Sequence, residues 1–273
     1  MKNNTSQFIS YQQKNYIKKH KHHHTMVRVY RLLIFVLFLS LWEIAANLEW
    51  IDAFFFSSPS RIVRCTVDML FKKDLLTHMG ITILETLLSF LLVFLFSLFT
   101  ATLLWYSKTL SEIIEPYIVV LNSLPKSALA PLFIVWLGTG IDTIIVAGIS
   151  VAIFGSIISL YSGFMQVDKE KITLIYTLGG NRKDAFFKVV FPGSIPILLS
   201  NMKVNIGLSL VGVIIGEFLA AKRGLGYLII YGSQVFMMNM VISSIILLCL
   251  IAMGLYLFIQ FVEHGYKKKT GLK

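Results

Sequence analysis

The sequence predicts an all-α polytopic membrane protein: about six transmembrane helices, N- and C-termini cytoplasmic, and one cytoplasmic helix–turn–helix loop. Three observations predict it. Of the 273 residues, 56% are hydrophobic and only 14% charged, with a mean hydropathy of +0.75; a soluble domain carries about 25% charged residues. Apolar runs of roughly 20 residues recur along the chain, enough to cross the hydrocarbon layer as helices. Breakers and charges are confined to short segments between those runs or to a few isolated positions within them. In hydrocarbon every backbone donor must be paired internally, and a helix does this within one segment.

Residues 1–25 are polar and basic, with the tract Lys18-Lys19-His20-Lys21-His22-His23-His24. They are read as a disordered cytoplasmic tail, or as sequence ahead of a start at Met26; a His-rich tract of this kind can also bind metal. The first apolar run is long and no small-residue cleavage site follows it, so a cleaved signal peptide is not expected. Residues 26–273 form the membrane domain. Its first span is placed at 28–47 and its second at 79–106, with no His in any span. Between them, Pro59-Ser60 starts an interfacial helix at 61–71, with Ser60 as its N-cap. The third span, 113–137, is interrupted by Pro116, Pro125 and Pro131, which places it inside the bundle, where neighbours satisfy the freed backbone. Gly138-Thr139-Gly140 then turns the chain into a fourth span at 141–164, followed by spans at 195–220 and 239–262.

Orientation follows from Lys and Arg. With the N-terminus inside, seventeen fall on the inner side and six on the outer, while Lys126 and Lys203 lie within spans; the excess belongs in the cytoplasm. The net charge of +11 is therefore topological, flanking the apolar runs, and does not indicate a nucleic-acid partner. Cys65 and Cys249 lie far apart in unlike segments and form neither a disulfide framework nor a metal site.

By this topology, 165–193 is the long inner loop between spans. Ile172, Ile175, Tyr176 and Gly179 recur at helical spacing. Gly179-Gly180 stops that helix. Asn181 caps a second one, with Asp184 reaching its free donors, and Phe186, Phe187, Val190 and Phe191 make its apolar stripe before Pro192 marks the entry to span five. A helix–turn–helix that is apolar on one side and charged on the other either docks a partner or lies on lipid headgroups.

The spacing of Gly179 and Pro192 resembles the cytoplasmic-loop signature of ATP-binding-cassette importer permeases: Glu-Ala-Ala, three residues, Gly, nine residues, Ile, one residue, Leu-Pro. Val189 and Phe191 stand at the apolar positions near its end, while Thr173, Leu174 and Ile175 replace Glu-Ala-Ala. Further blocks carry the resemblance from about Trp42-Glu43 to the end of span six. They are Ser58-Pro59-Ser60, Thr82 to Leu87, Leu124-Pro125-Lys126-Ser127-Ala128-Leu129-Ala130-Pro131-Leu132, Trp136 to Gly140, and Glu217 with Gly224-Leu225-Gly226. Together they resemble permeases that import taurine, alkanesulfonates, nitrate and thiamin precursors. The resemblance implies a homodimer in the cell membrane and an extracytoplasmic binding protein that delivers the solute. It also implies a cytoplasmic ATPase that docks on Thr173, Leu174, Ile175, Gly179, Asn181, Arg182, Asp184, Val189, Phe191 and Pro192. No phosphate-binding glycine loop ending in Lys-Ser/Thr occurs in the chain, so ATP and Mg belong to that partner and this chain is not an enzyme.

Ionisable groups inside a span are costly and are candidates for function. Glu43, Glu85, Lys126, Lys203 and Glu217 qualify, Glu43 and Glu217 with an interfacial reading beside the functional one. Lys126, between Pro125 and Pro131, either draws an anionic solute into the pathway or pairs with Glu85 or Glu217. Gly224 and Gly226 permit a tight turn, re-entrant near the pore mouth or plainly superficial. A self-contained secondary transporter is the alternative; it calls for an inverted repeat and ion-coupling carboxylates at the midplane, and no convincing repeat is found. An intramembrane enzyme calls for paired catalytic groups at membrane depth, and none stands out.

Overall fold

A computed structural model describes the backbone of residues 11–72 and 74–270. Every regular element among them is helical: α1 (Tyr11–Asn47), α2 (Ala53–Phe56), α3 (Pro59–Lys72), α4 (Leu75–Tyr106), α5 (Lys108–Ser123), α6 (Lys126–Leu137), α7 (Ile141–Met165), α8 (Lys169–Thr177), α9 (Arg182–Ala185), a π-helical turn (Phe186–Val190), α10 (Phe191–Ala220), α11 (Leu225–Gln234) and α12 (Met238–Thr270). Five helices are long and apolar enough to cross a bilayer, and α5 with α6 makes a sixth span bent by 96°. The chain divides into two compact units at Arg64 and Cys65.

In the first unit the long helix α1 begins at Tyr11 rather than near residue 28; the first ten residues of the expected tail lie outside the described residues, as do the side chains of its His-rich tract. Asp52 caps α2 by accepting from the Phe54 N–H at 2.8 Å. The start of α3 corrects the expected cap. Pro59 occupies its first turn, where a missing N–H costs nothing, and the capping role falls to Ser58, whose Oγ accepts from the Arg61 N–H at 3.4 Å. Ser60 instead turns to Glu43, donating through its backbone N–H at 3.0 Å and its Oγ at 2.7 Å. Glu43 thereby ties the end of the first span to the start of α3.

In the second unit α4, α7 and α10 form the core. Their buried stripes set small and polar residues among the bulky ones: Thr82, Thr86, Ser89, Val93, Ser97 and Ala101 on α4, with Gly148, Ala152 and Ser156 on α7 and Asn205, Ser209, Gly212 and Gly216 on α10. Where lipid is as apolar as leucine, small residues let helix backbones approach and gain dispersion contact. The approach is close: a Cβ at Gly212 would sit 2.7 Å from the Ala147 carbonyl oxygen, and one at Gly216 2.8 Å from the Ile144 Cα. At mid-depth Ser156 Oγ donates to Ser97 Oγ at 2.8 Å and accepts from Asn201 Nδ2 at 3.0 Å and Asn205 Nδ2 at 2.7 Å, a buried network that fixes the three helices in register. Many phenylalanines and leucines turn outward along the spans, while Phe90, Leu104, Leu160, Phe164 and Leu210 are buried between them.

The proline-rich third span is interrupted, as its prolines imply, into a broken pair, but it departs from the expected interior position. Leu124 is extended ahead of Pro125 (φ −65°, ψ 140°), as the ring of a following proline requires, and α6 restarts at Lys126. Pro116 and Pro131 lie within α5 and α6. Both halves touch the core along one edge, through Ile118 and Ile134, and leave most of their apolar side chains exposed, Tyr117, Val120, Val135 and Trp136 among them.

Candidate functional site

The loop between α7 and α10 is built by two local motifs placed back to back. Asp168 starts α8 by accepting from the Glu170 N–H at 2.9 Å. Its end is a Schellman motif: Gly179 adopts φ +82°, its N–H donates to the Tyr176 carbonyl at 3.0 Å, and the Gly180 N–H donates to the Ile175 carbonyl at 2.9 Å, closing two carbonyls that helix termination leaves open. Next comes a capping box: Asn181 Oδ1 accepts from the Lys183 and Asp184 N–H groups at 2.9 and 3.0 Å, and Asp184 Oδ2 accepts from the Asn181 N–H at 3.0 Å. Asp184 also pairs with Lys188 at 2.8 Å. The turn Gly179-Gly180-Asn181 is thus specified on both sides by its own residues.

Two contacts clamp this turn to the adjacent end of α4. Arg182 Nη2 donates to the Trp105 carbonyl at 3.0 Å and its guanidinium lies 5.4 Å from the centre of that indole. Phe186, 3% exposed, packs among Trp105, Tyr106 and Phe164, with ring centres 5.2–5.5 Å apart. Phe186 and Val190 are buried as the stripe predicts and Phe191 partly so, but Phe187 points outward. Pro192 does not punctuate the chain: the helix runs from α9 through the π turn into α10. The wide turn, in which the Phe191 N–H donates to the Phe186 carbonyl, relaxes the ladder next to a residue that has no N–H and whose ring crowds the carbonyl four back.

The loop presents apolar side chains outward on a charged frame. Leu174, Tyr176, Leu178 and Phe187 are exposed, Leu178 to 75%, beside Lys169, Lys171, Lys183 and Lys188. Thr173 Oγ1 donates back to the Lys169 carbonyl at 2.9 Å, while Ile175 and Val189 are half-buried and Pro192 is exposed. Contiguous exposed apolar groups with a polar rim mark an interaction surface.

At the far end of α4 and α10, the in-span carboxylates gather. Glu217, fully buried, accepts from Thr82 Oγ1 at 2.6 Å and from the Gly226 N–H at 2.5 Å. Thr82 Oγ1 in turn accepts from the Leu225 N–H at 2.9 Å, and His78 Nδ1 accepts from the Gly224 N–H at 3.0 Å. Glu217 therefore sits on the N-terminus of α11, where free N–H groups and the helix dipole favour a negative charge. A Cβ at Gly224 (φ +116°) would overlap the Glu217 carboxyl. The turn carrying Gly224 and Gly226 is buried, and α11, ten residues long, covers about 15 Å, half the hydrocarbon thickness. Glu85 lies beside this network, 3% exposed. His78, one helical turn from Thr82, corrects the expectation that no His lies in a span: α4 starts four residues earlier than the apolar run.

The two in-span lysines stand apart from these carboxylates. Lys126 Nζ donates to the Asn122 carbonyl across the break and pairs with neither Glu85 nor Glu217. Lys203 pairs with Glu263 on α12, which Lys267 also reaches at 3.3 Å. Pro125 forms the break and Pro131 lies in α6. Thr82, His78, Trp105, Ser156, Asn201 and Asn205 escaped the sequence reading of the site because a hydroxyl, amide or ring in an apolar run signals nothing until its partner is known. Among the described residues no group of three His, Cys, Asp or Glu is placed to hold a metal ion.

Residues 93–268 match the family model described as binding-protein-dependent transport system inner membrane component. A probable ABC transporter permease protein of Haemophilus influenzae is 28% identical over 86% of this chain and 95% of its own length. The formylaminopyrimidine transport permease of Halalkalibacterium halodurans is 26% identical over 71% of this chain and 77% of its own, and the taurine transport system permease of Escherichia coli is 24% identical over 83% and 84%. Among solved structures, an inward-facing MetNI methionine ABC transporter superposes with a TM-score of 0.60 at 18% identity, over 71% of this chain and 95% of that one. That likeness concerns the fold.

Proposed function

Because the chain belongs to the binding-protein-dependent transport system inner membrane components, we propose a division of labour between its two ends. The chain is a multi-pass permease subunit of an ATP-binding-cassette importer for a small solute. The loop 165–193 is its coupling element and docks a separate cytoplasmic ATPase, which holds ATP and Mg. Both termini and the loop face the cytoplasm, an orientation supported by the excess of Lys and Arg at that end. Two copies of the chain enclose the pathway, and an extracytoplasmic binding protein delivers the solute to the opposite end.

The observation that carries the coupling role is the clamped turn. A Schellman motif and a capping box fix its shape, and Arg182 and Phe186 fix it to the end of α4, so force applied to Leu174, Leu178 and Phe187 passes into α4 and α10 without being absorbed by a slack loop. Closure of two ATPase subunits would then rock the spans between inward- and outward-open arrangements. Glu85, Glu217, Gly224 and Gly226 belong to the outer mouth of the pathway, with Lys126, Pro125 and Pro131 at the break in the third span. Lys203, paired with Glu263, serves the inner end of the bundle rather than the solute.

Cross-linking tests the docking face. With Cys65 and Cys249 replaced by Ser, Leu178→Cys in native membranes is expected to cross-link to the ATPase through a short bis-maleimide. Clean cross-linking of an equally labelled Phe96→Cys in place of Leu178→Cys would overturn the assignment.

A further inference from the structure

We propose that a cavity at the outer end of the second unit is a subsite for a nitrogen donor of the transported solute (an ammonium, amidine or ring amino group), with Glu85 as its partner. The inference rests on the permease reading and adds a solute chemistry to it. The cavity measures about 310 Å³ and is lined by Ile81 and Glu85 on α4, Gly140 and Ile144 at the start of α7, and Lys222 and Arg223 in the turn before α11.

The two neighbouring carboxyls are treated differently by the fold. Both oxygens of Glu217 are satisfied, by Thr82 and by the backbone of α11. Glu85 is equally buried, yet its Oε2 has no hydrogen-bond partner among the described residues. Buried polar atoms are almost always paired, and an orphaned carboxyl oxygen in the wall of a cavity calls for a donor that no described residue supplies. Among the described residues no lysine pairs with it: Lys126 is spent on Asn122, Lys203 on Glu263, and Lys222 stands exposed at the rim.

The opposite side of the cavity has the other sign. Lys222 and Arg223 stand exposed at its rim, and the first turn of α7 turns unpaired N–H groups toward the same end. A solute with a donor nitrogen at one end and an acceptor or anionic group at the other fits both walls. An anion without such a nitrogen meets the rim favourably but leaves the buried Glu85 oxygen unpaired, and that cost discriminates between solutes that the rim alone would accept.

The test uses the wild-type permease purified with its ATPase into lipid nanodiscs, treated with diisopropylcarbodiimide and mapped by peptide mass spectrometry. Glu85 is expected to be modified and Glu217, fully paired, spared. Adding 4-amino-2-methylpyrimidine or methylammonium is expected to slow modification of Glu85 about tenfold, the effect of occupying a site at ten times its Kd, while ethanesulfonate leaves it unchanged. In parallel, 4-amino-2-methylpyrimidine should raise the unfolding midpoint of wild type and not of Glu85→Gln. An unmodified Glu85, or modification slowed equally by ethanesulfonate and the amines, would overturn the subsite. The ATPase remaining bound throughout would show that the permease reading stands whatever the labelling gives.

Discussion

Arg182 holds Trp105 twice, by a 3.0 Å hydrogen bond to its carbonyl and by a guanidinium 5.4 Å from its ring centre. The bond crosses from the turn of the loop to the last turn of α4, two segments separated by 77 positions in sequence. It gives the loop a fixed orientation on the bundle that neither α8 nor α9 could supply alone, since α8 buries no residue fully.

Arg182→Ala should therefore loosen coupling without unfolding the permease. A cation–π contact and one hydrogen bond at an exposed site contribute about 1–2 kcal/mol together. Solute uptake is expected to fall while ATPase binding persists, so the ratio of solute moved to ATP hydrolysed drops. Uptake and hydrolysis measured in the same proteoliposomes check this; an unchanged ratio counts against the clamp.

The two glycines of the turn should differ. At Gly179 a Cβ meets nothing within 4 Å, although φ is +82°; at Gly180 it would lie 2.5 Å from Ile175 Cγ2 and 2.8 Å from the Ile175 carbonyl oxygen. Gly180→Ala is expected to distort the turn at a cost of about 1–3 kcal/mol and to speed hydrogen exchange across 175–185. Gly179→Ala should cost only about 1 kcal/mol, the penalty for a left-handed residue with a side chain, and leave exchange nearly as in wild type.

Glu217→Ala should be the most damaging change at the far end. It removes the acceptor for Thr82 and Gly226 in a buried setting, and each orphaned donor costs about 1–3 kcal/mol. A lowered unfolding midpoint in detergent, only partly restored by Glu217→Gln, is the expected result. A midpoint equal to wild type would mean that the α11 turn is held by other contacts.

Lys203→Met should lower stability by about 1 kcal/mol, since Glu263 keeps Lys267, and should leave uptake unchanged. Loss of uptake with normal folding would return Lys203 to the pathway.

What was legible in the sequence was local. Gly179, Gly180, Asn181 and Asp184 announce a helix stop and a capping box because both motifs use residues within four positions of each other, and spans announce themselves by hydropathy. The missed features join distant positions. Glu217 finds Thr82 across 135 positions and Asn205 finds Ser156 across 49, and no period in either helix predicts such a meeting. Pro192 and Pro125 misled in different ways. The first passes through a helix that widens to accept it, and the second breaks its span as read but leaves the two halves exposed where the prolines pointed to the bundle interior. Lys203 looked like a charge stranded in lipid only because Glu263 lies 60 positions away.

The central claim is that the loop is where an ATPase engages this permease, and a mild-detergent pull-down from native membranes tests it most directly. Gly179→Asp places a carboxylate in open space on the docking face with little disturbance of the fold. An ATPase that co-purifies with wild type and is lost with Gly179→Asp, at equal membrane levels of the two chains, is the predicted result. An ATPase retained equally by both, or absent from a well-folded wild-type preparation, would contradict the account.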